Sequence, residues 1–293
     1  MRRILFALLA GAVLLPVAAS AQGDPVVCKP GKNTNEVGLF GHYMVPIAFD
    51  AAEAPVTYPL AAMRLGLEAS YIPKLDAAKR VPSFCQAGQG PLNTDDQSMV
   101  YRPRLLLSGQ KGLFIEVSWI PPVSVSGIKS NLFGVAIGRS TNTGKNGMAR
   151  LRLFTVFGSI KGPFTCSKDD VANPADAECF NSQVSNDRFK PTIFGGDLSV
   201  AHAFANRRVI PYLGLGMSFL RPRFDVDHVT ADPGIVDHTK IQANMTRFTA
   251  HGGVTVVPTN RLLLTAEGYA APADIITGRV MLSWAFRAGK KSR

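Results

Sequence analysis

From about residue 58 onward, apolar and polar side chains alternate with a period of two, the signature of strands with two chemically different faces. In PLAAMRLGLEASYIP, Met63, Leu65, Leu67, Ala69 and Tyr71 share one face, and Arg64, Gly66, Glu68 and Ser70 share the other. GLFIEVSWIPP sets Leu113, Ile115, Val117 and Trp119 against Glu116 and Ser118, and ARLRLFTVFGSI sets Leu151, Leu153 and Phe157 against Arg150 and Arg152. PYLGLGMSFL places Leu213, Leu215, Met217 and Phe219 opposite Gly214, Gly216 and Ser218. Weaker alternation marks 100–108, 130–139, 191–203, 242–256 and 261–270. A last strand over 276–286 carries Val280, Leu282, Trp284 and Phe286 on one face. The pattern predicts about ten strands, most of about 9–12 residues, the length that crosses a bilayer at barrel tilt; eight or twelve stay open.

The connections sharpen this. The three long ones, 73–99, 161–190 and 222–241, all follow odd-numbered strands, whereas ANRR, PTN and APAD are short. Tyr71, Trp119 and Phe219 end odd strands on the apolar face, and Trp284 and Phe286 end an even one, which places aromatic residues at two opposite rims. Tyr269 fits this less well, because its parity groups it with Thr265 and Glu267. Ahead of the strands, MRRILFALLAGAVLLPVAASAQG has Arg2 and Arg3, an apolar run and an Ala19-Ser20-Ala21 site, the anatomy of a cleaved signal peptide. No later stretch is long and apolar enough for a membrane helix.

Together these features resemble the small transmembrane β-barrels of Gram-negative outer membranes, over about residues 58–286. The resemblance implies an all-β, antiparallel transmembrane β-barrel with both termini periplasmic, surrounded by outer-membrane lipid and inserted by the barrel-assembly machinery. It departs from the class after Phe286, where such chains commonly stop; Arg287, Lys290, Lys291 and Arg293 follow. The expected organisation is a signal peptide 1–21, an N-terminal segment 22–57, the barrel 58–286 and a basic tail 287–293. A soluble lipocalin-like barrel or sandwich stays open, since alternation alone does not say which face is inside.

In the membrane reading, one face must collect the charges: Arg64, Glu68, Arg104, Glu116, Arg150, Arg152, Asp197, Arg247, Glu267 and Arg279. An Arg at the lipid midplane costs about 2–4 kcal/mol, so these are expected to line the lumen. They either fill it as ion pairs or line a narrow, Arg-biased pathway for small polar or anionic solutes. Four cysteines in an exported chain are expected to form disulfides. The short spacing of Cys166 and Cys179 around a polar segment favours that pair, leaving Cys28 with Cys85. If Cys28 reaches the loop that holds Cys85, segment 22–57 would pass through the lumen as a plug.

Composition adds one thing: without Arg2 and Arg3 the chain carries 30 basic against 21 acidic residues, a net charge of +9. That permits attraction to an anionic lipid, glycan or nucleic acid, and no interleaving of basic and aromatic residues supports the last. Asp225, Asp227, His228, Asp232, Asp237 and His238 share one loop and could hold a divalent cation or activate water, but no calcium-loop or HExxH spacing is present. G-x-S-x-G is absent, and His42, His202 and His251 have no evident partners. No cofactor is expected. Three functions stay open: a non-enzymatic narrow channel, a closed structural or surface-interaction barrel, and a hydrolase at the rim.

Overall fold

The computed structural model describes residues 26–56, 63–86, 90–94, 98–125, 127–176, 178–204, 206–231 and 235–286. The expected signal peptide, the basic tail and Asp232 lie outside the described residues.

Ten strands build one wall: β1 (Met63–Tyr71), β2 (Met99–Ser108), β3 (Leu113–Ile120), β4 (Ile128–Asn142), β5 (Gly147–Gly162), β6 (Asp187–His202), β7 (Val209–Asp225), β8 (Met245–Thr259), β9 (Leu262–Ala271) and β10 (Ile275–Ala285). Each pairs antiparallel with the next. β10 returns to β1, with Arg279 opposite Ser70 and Ala285 opposite Arg64, so the sheet closes on itself. Closure gives the wall's backbone groups partners on both sides, the condition for crossing a hydrocarbon layer. The pairing of β5 with β6 is interrupted beside Pro191, which has no N–H to donate, and Gly158 there takes a φ of +136°.

Connections 72–98, 163–186 and 226–244 stand at one rim with the short 121–127 and 272–274. The other rim carries the short connections 109–112, 143–146, 203–208 and 260–261. β4 to β8 run 15–17 residues, longer than the alternation suggested. On three of them the long-loop ends continue past the apolar band: outward positions change from Phe133, Phe157 and Phe219 to Lys129, Lys161, Arg221 and Arg223.

Burial decides the faces. Leu213, Leu215 and Ile276 point outward and are 69%, 70% and 75% exposed, whereas Arg102, Arg104 and Arg152 point inward and are 1%, 2% and 0% exposed. A soluble barrel would need the reverse, because water does not favour a continuous apolar band of this kind. Trp119, Phe133 and Phe157 stack in a row on the outer surface towards the long-loop rim, with centroids 6.1 Å apart in each pair. Trp284 and Phe286 lie at the opposite rim.

Inside the ring run a helix, α1 (Asn35–Ile47), and the extended residues 48–54. The run starts at the long-loop rim, where Val27–Cys28 pairs parallel with Lys240–Ile241 and Cys28 is bonded to Cys85. α1 buries Phe40, Met44 and Ile47 against the upper wall, Phe40 stacking on Phe189 at 5.7 Å. The helix stops at Ile47, after Pro46, and Ala48 turns extended at φ −58°, ψ 144°. Val56 then packs with Met148, Ala203 and Ile210 near the short-turn rim. Val27–Cys28 lies at the long-loop rim, held there by its strand pairing and disulfide, as the plug expectation required; both termini lie outside the described residues.

Candidate functional site

An extended stretch inside a barrel has no neighbouring strand to satisfy its peptide groups, and buried carbonyls without partners are costly. Arginines of the wall supply the partners. Arg102 donates to Ile47 O at 2.5 Å and Ala48 O at 3.1 Å, Arg152 to Phe49 O at 2.8 Å, Arg104 to Asp50 O at 2.9 Å, and Arg150 to Glu53 O. Ala54 N donates to Thr255 Oγ1 at 3.0 Å. Phe49 sits among three of these guanidinium groups, 5.6 Å from Arg102, 4.4 Å from Arg104 and 5.3 Å from Arg152, in cation–π geometry. Gly134 leaves room for its ring: a Cβ there would come 3.0 Å from Phe49 Cδ1.

The same arginines are bound to carboxylates. Arg104 Nε meets Glu116 at 2.7 Å and its Nη1 meets Glu68 at 2.5 Å. Arg152 reaches Glu116 at 3.1 Å and Asp197 at 3.5 Å. Arg279 lies 3.7 Å from Glu267 and 3.9 Å from Asp50. Glu53 accepts from both terminal nitrogens of Arg64, at 2.5 and 3.0 Å, and lies 4.0 Å from Arg150. Among the described residues, the wall at mid-lumen presents six buried arginines (Arg64, Arg102, Arg104, Arg150, Arg152, Arg279) and four buried carboxylates (Glu68, Glu116, Asp197, Glu267). Asp50 and Glu53, on the inner segment, supply the two missing negative charges. Burying charges without such balance would carry several kcal/mol of desolvation per ion.

Nine of the ten charges singled out in the sequence lie in this interior. Arg247 faces inward too, but at the long-loop rim, where it holds Asp274 of the β9–β10 turn at 2.5 and 3.0 Å. Four participants escaped the sequence reading: Arg102, Asp50, Glu53 and Tyr212. Arg102 shares the parity of Arg104, so the alternation itself carried the signal. Tyr269 turns inward, which explains its misfit among the rim aromatics: its hydroxyl binds Asp50 and Arg279 stacks 4.0 Å from its ring. Tyr212 donates to Glu267 at 2.8 Å. His251 is buried between Tyr212 and Tyr269, with ring centroids at 6.2 and 6.5 Å. His42 Nε2 lies 2.8 Å from Pro73 O, and the His202 ring lies against Phe204.

The loop carboxylates and imidazoles do not converge. Asp225 takes Lys190 at 2.6 Å, His228 binds Ser182 Oγ at 3.0 Å, Asp237 caps Thr239 N at 2.8 Å, and His238 stands 3.9 Å from Asp227. Among the described residues no three His, Cys, Asp or Glu side chains come together as metal ligands. The loop between β5 and β6 is closed by Cys166–Cys179 and fastened by Asp187, which accepts from Thr165 N and Ser185 Oγ at 2.7 Å and Asp227 N at 3.0 Å.

The architecture is a closed ten-strand antiparallel barrel with an apolar outer face and a charged interior, and it resembles outer-membrane barrels. Solved structures similar in fold include the attachment invasion locus protein Ail of Yersinia pestis, with 11% identity over 77% of this chain and 97% of that one, at a TM-score of 0.31. The KdgM porin matches at 10% identity over 77% and 99%, with a TM-score of 0.31. The toluene transporter TbuX of Ralstonia pickettii matches at 8% identity over 81% and 73%, with a TM-score of 0.36. At these scores the likeness says nothing of what the chain does. No family model matches the sequence, and no curated protein matches it.

Above the charged layer, α1 and the upper wall enclose an apolar cavity of about 100 Å³ lined by Phe40, Ile47, Val100, Leu132 and Phe224 among others. Glu36, on the first turn of α1, closes this region. Burial opposes its ionisation, but the N–H groups of Cys85 and Phe84 and the Ser83 contacts outweigh that and hold its carboxyl below the ordinary glutamate value.

Proposed function

We propose that this protein is a closed barrel of the bacterial outer membrane, exported through a cleaved signal peptide and inserted by the barrel-assembly machinery. Residues 22–57 act as its lumenal plug, and its work is done at the surface formed by the loops after β1, β5 and β7. The reading is non-enzymatic. One observation carries it: the wall's two surplus arginines are neutralised by Asp50 and Glu53, so the charges that would line a pathway are spent on holding the plug. Of the three functions left open by the sequence, this favours the closed barrel over the narrow channel. Two disulfides brace this loop surface, which gives it the rigidity an interaction site needs, and Phe84 and Ile235 are exposed on it.

Planar-bilayer recording tests the reading. The full chain is expected to insert without conductance steps, and steady ohmic steps from the untreated protein would overturn it. A second reading, solute passage after displacement of the plug, draws on the fact that residues 48–54 are held by side chains rather than by a strand ladder. It requires steps that appear only when the Asp50 and Glu53 charges are removed.

A further inference from the structure

Just beyond the row of outward aromatics, the long-loop ends of β4 to β7 change character. On β4, Lys129 follows the parity of Phe133; on β5, Lys161 follows Phe157; on β6, Arg188 and Lys190 follow Phe194; on β7, Arg221 and Arg223 follow Phe219. The registers make these residues neighbours: Lys129 is opposite Lys161, Lys161 opposite Arg188, and Lys190 opposite Arg223. Lys240 follows at the same edge, opposite Asp225. Among the described residues the carboxylate in this register is Asp225, which stands opposite both Arg188 and Lys240 and binds Lys190 at 2.6 Å, so one negative charge meets the whole group. Directly opposed side chains across antiparallel strands lie about 4.5–5.5 Å apart, and like charges there are destabilising. The surplus is also one-sided, since the outward positions at the same rim on β1, β8 and β10 are Tyr71, Thr246, Phe248 and Ile276.

A cluster of like charge at the upper edge of a lipid-facing surface needs an anion of matching height. We propose that this face binds the headgroup of a membrane lipid carrying two or more phosphates. The phosphates would bridge Lys129, Lys161, Arg188 and Arg223, and the acyl chains would lie along Phe133, Phe157, Phe194 and Phe219. Arginine forks suit phosphate oxygens, and the Arg221 guanidinium, 5.9 Å from the Phe194 ring, spans the boundary between ring and headgroup. The proposal rests on the reading above only in assigning the long-loop rim to the outer leaflet; whether the lumen is closed does not enter.

The test is native mass spectrometry of the full chain in detergent with bisphosphorylated lipid A, phosphatidylglycerol, phosphatidylcholine or inorganic pyrophosphate as probe. Retention of lipid A is expected to exceed that of the monophosphate lipids about tenfold or more, and to fall to their level in Lys129→Gln/Lys161→Gln/Arg223→Gln. Arg139→Gln, an outward arginine near the short-turn rim, is expected to bind as the parent does. Equal retention by the parent and the triple variant would overturn the proposal, as would equal loss in Arg139→Gln. Pyrophosphate binding as tight as lipid A would replace the lipid with a free anion and overturn it likewise. If the triple variant does not fold, Lys129→Gln and Arg223→Gln taken singly give the same comparison.

Discussion

Glu53 is the carboxylate whose loss the barrel should feel most clearly. Both its oxygens are engaged by Arg64, Ser283 Oγ donates to one of them at 3.3 Å, and its side chain is 5% exposed. Glu53→Gln keeps the shape but turns one arm of the fork into a donor facing a donor, and leaves the wall one positive charge in excess. Removing one partner of a buried ion pair costs about 3–5 kcal/mol; the remaining amide oxygen puts this case near ~3 kcal/mol, roughly a hundredfold in an equilibrium constant. Denaturant unfolding of the folded barrel in detergent, followed by loss of the fast-migrating unheated gel band, reads the difference. The control is Glu53→Gln with Arg64→Met, which removes the uncompensated guanidinium together with its partner. A buried pair replaced by apolar groups is often neutral, so the double variant is expected to recover most of the loss. A Glu53→Gln midpoint within about 0.5 kcal/mol of the parent, the range of ordinary surface changes, would refute a structural role for the charge. A double variant no better than the sum of its parts would refute the coupling.

Two further outcomes are expected. Gly41 faces the Asp274 carboxylate so closely that an added Cβ would collide with it, so Gly41→Ala should displace Asp274 from Arg247 and lower stability by about 1–3 kcal/mol by the same assay. Glu36 has a folded-state value below its unfolded one, so the stability it contributes is present above the ordinary glutamate value of ~4.3 and is lost as pH falls through its lower folded value. Thermal midpoints measured from pH 6 downward should therefore fall less steeply in Glu36→Gln, and identical slopes would contradict this.

The barrel was legible because lipid and a charged interior impose opposite chemistry on alternate residues, and a period of two survives in the sequence wherever both faces are demanding. Loop asymmetry told the two rims apart. The inner segment was legible only through the cysteine pairing, and what holds it was not: AFDAAEA has no period, since its carbonyls are bound by Arg102, Arg104, Arg150 and Arg152, 54 to 103 residues away in sequence. Asp50 and Glu53 look like ordinary polar residues until the wall's surplus charge is counted. Tyr269 shows the strength of parity: near a strand end it resembles a rim aromatic by position, but its period groups it with Thr265 and Glu267, and it is buried with them.

The most direct test of the lumen's occupant is a cysteine pair at Ala54→Cys and Thr255→Cys, whose parent groups are joined by a 3.0 Å hydrogen bond. Mild oxidation of the folded barrel is expected to crosslink the pair within one chain, visible as a shifted band after heating without reductant. The control pairing Ala54→Cys with Val254→Cys, which points to the outer face, should not react. A folded barrel in which 54 and 255 fail to join, or in which 54 joins 254 as readily, would show that the segment does not lie inside the wall.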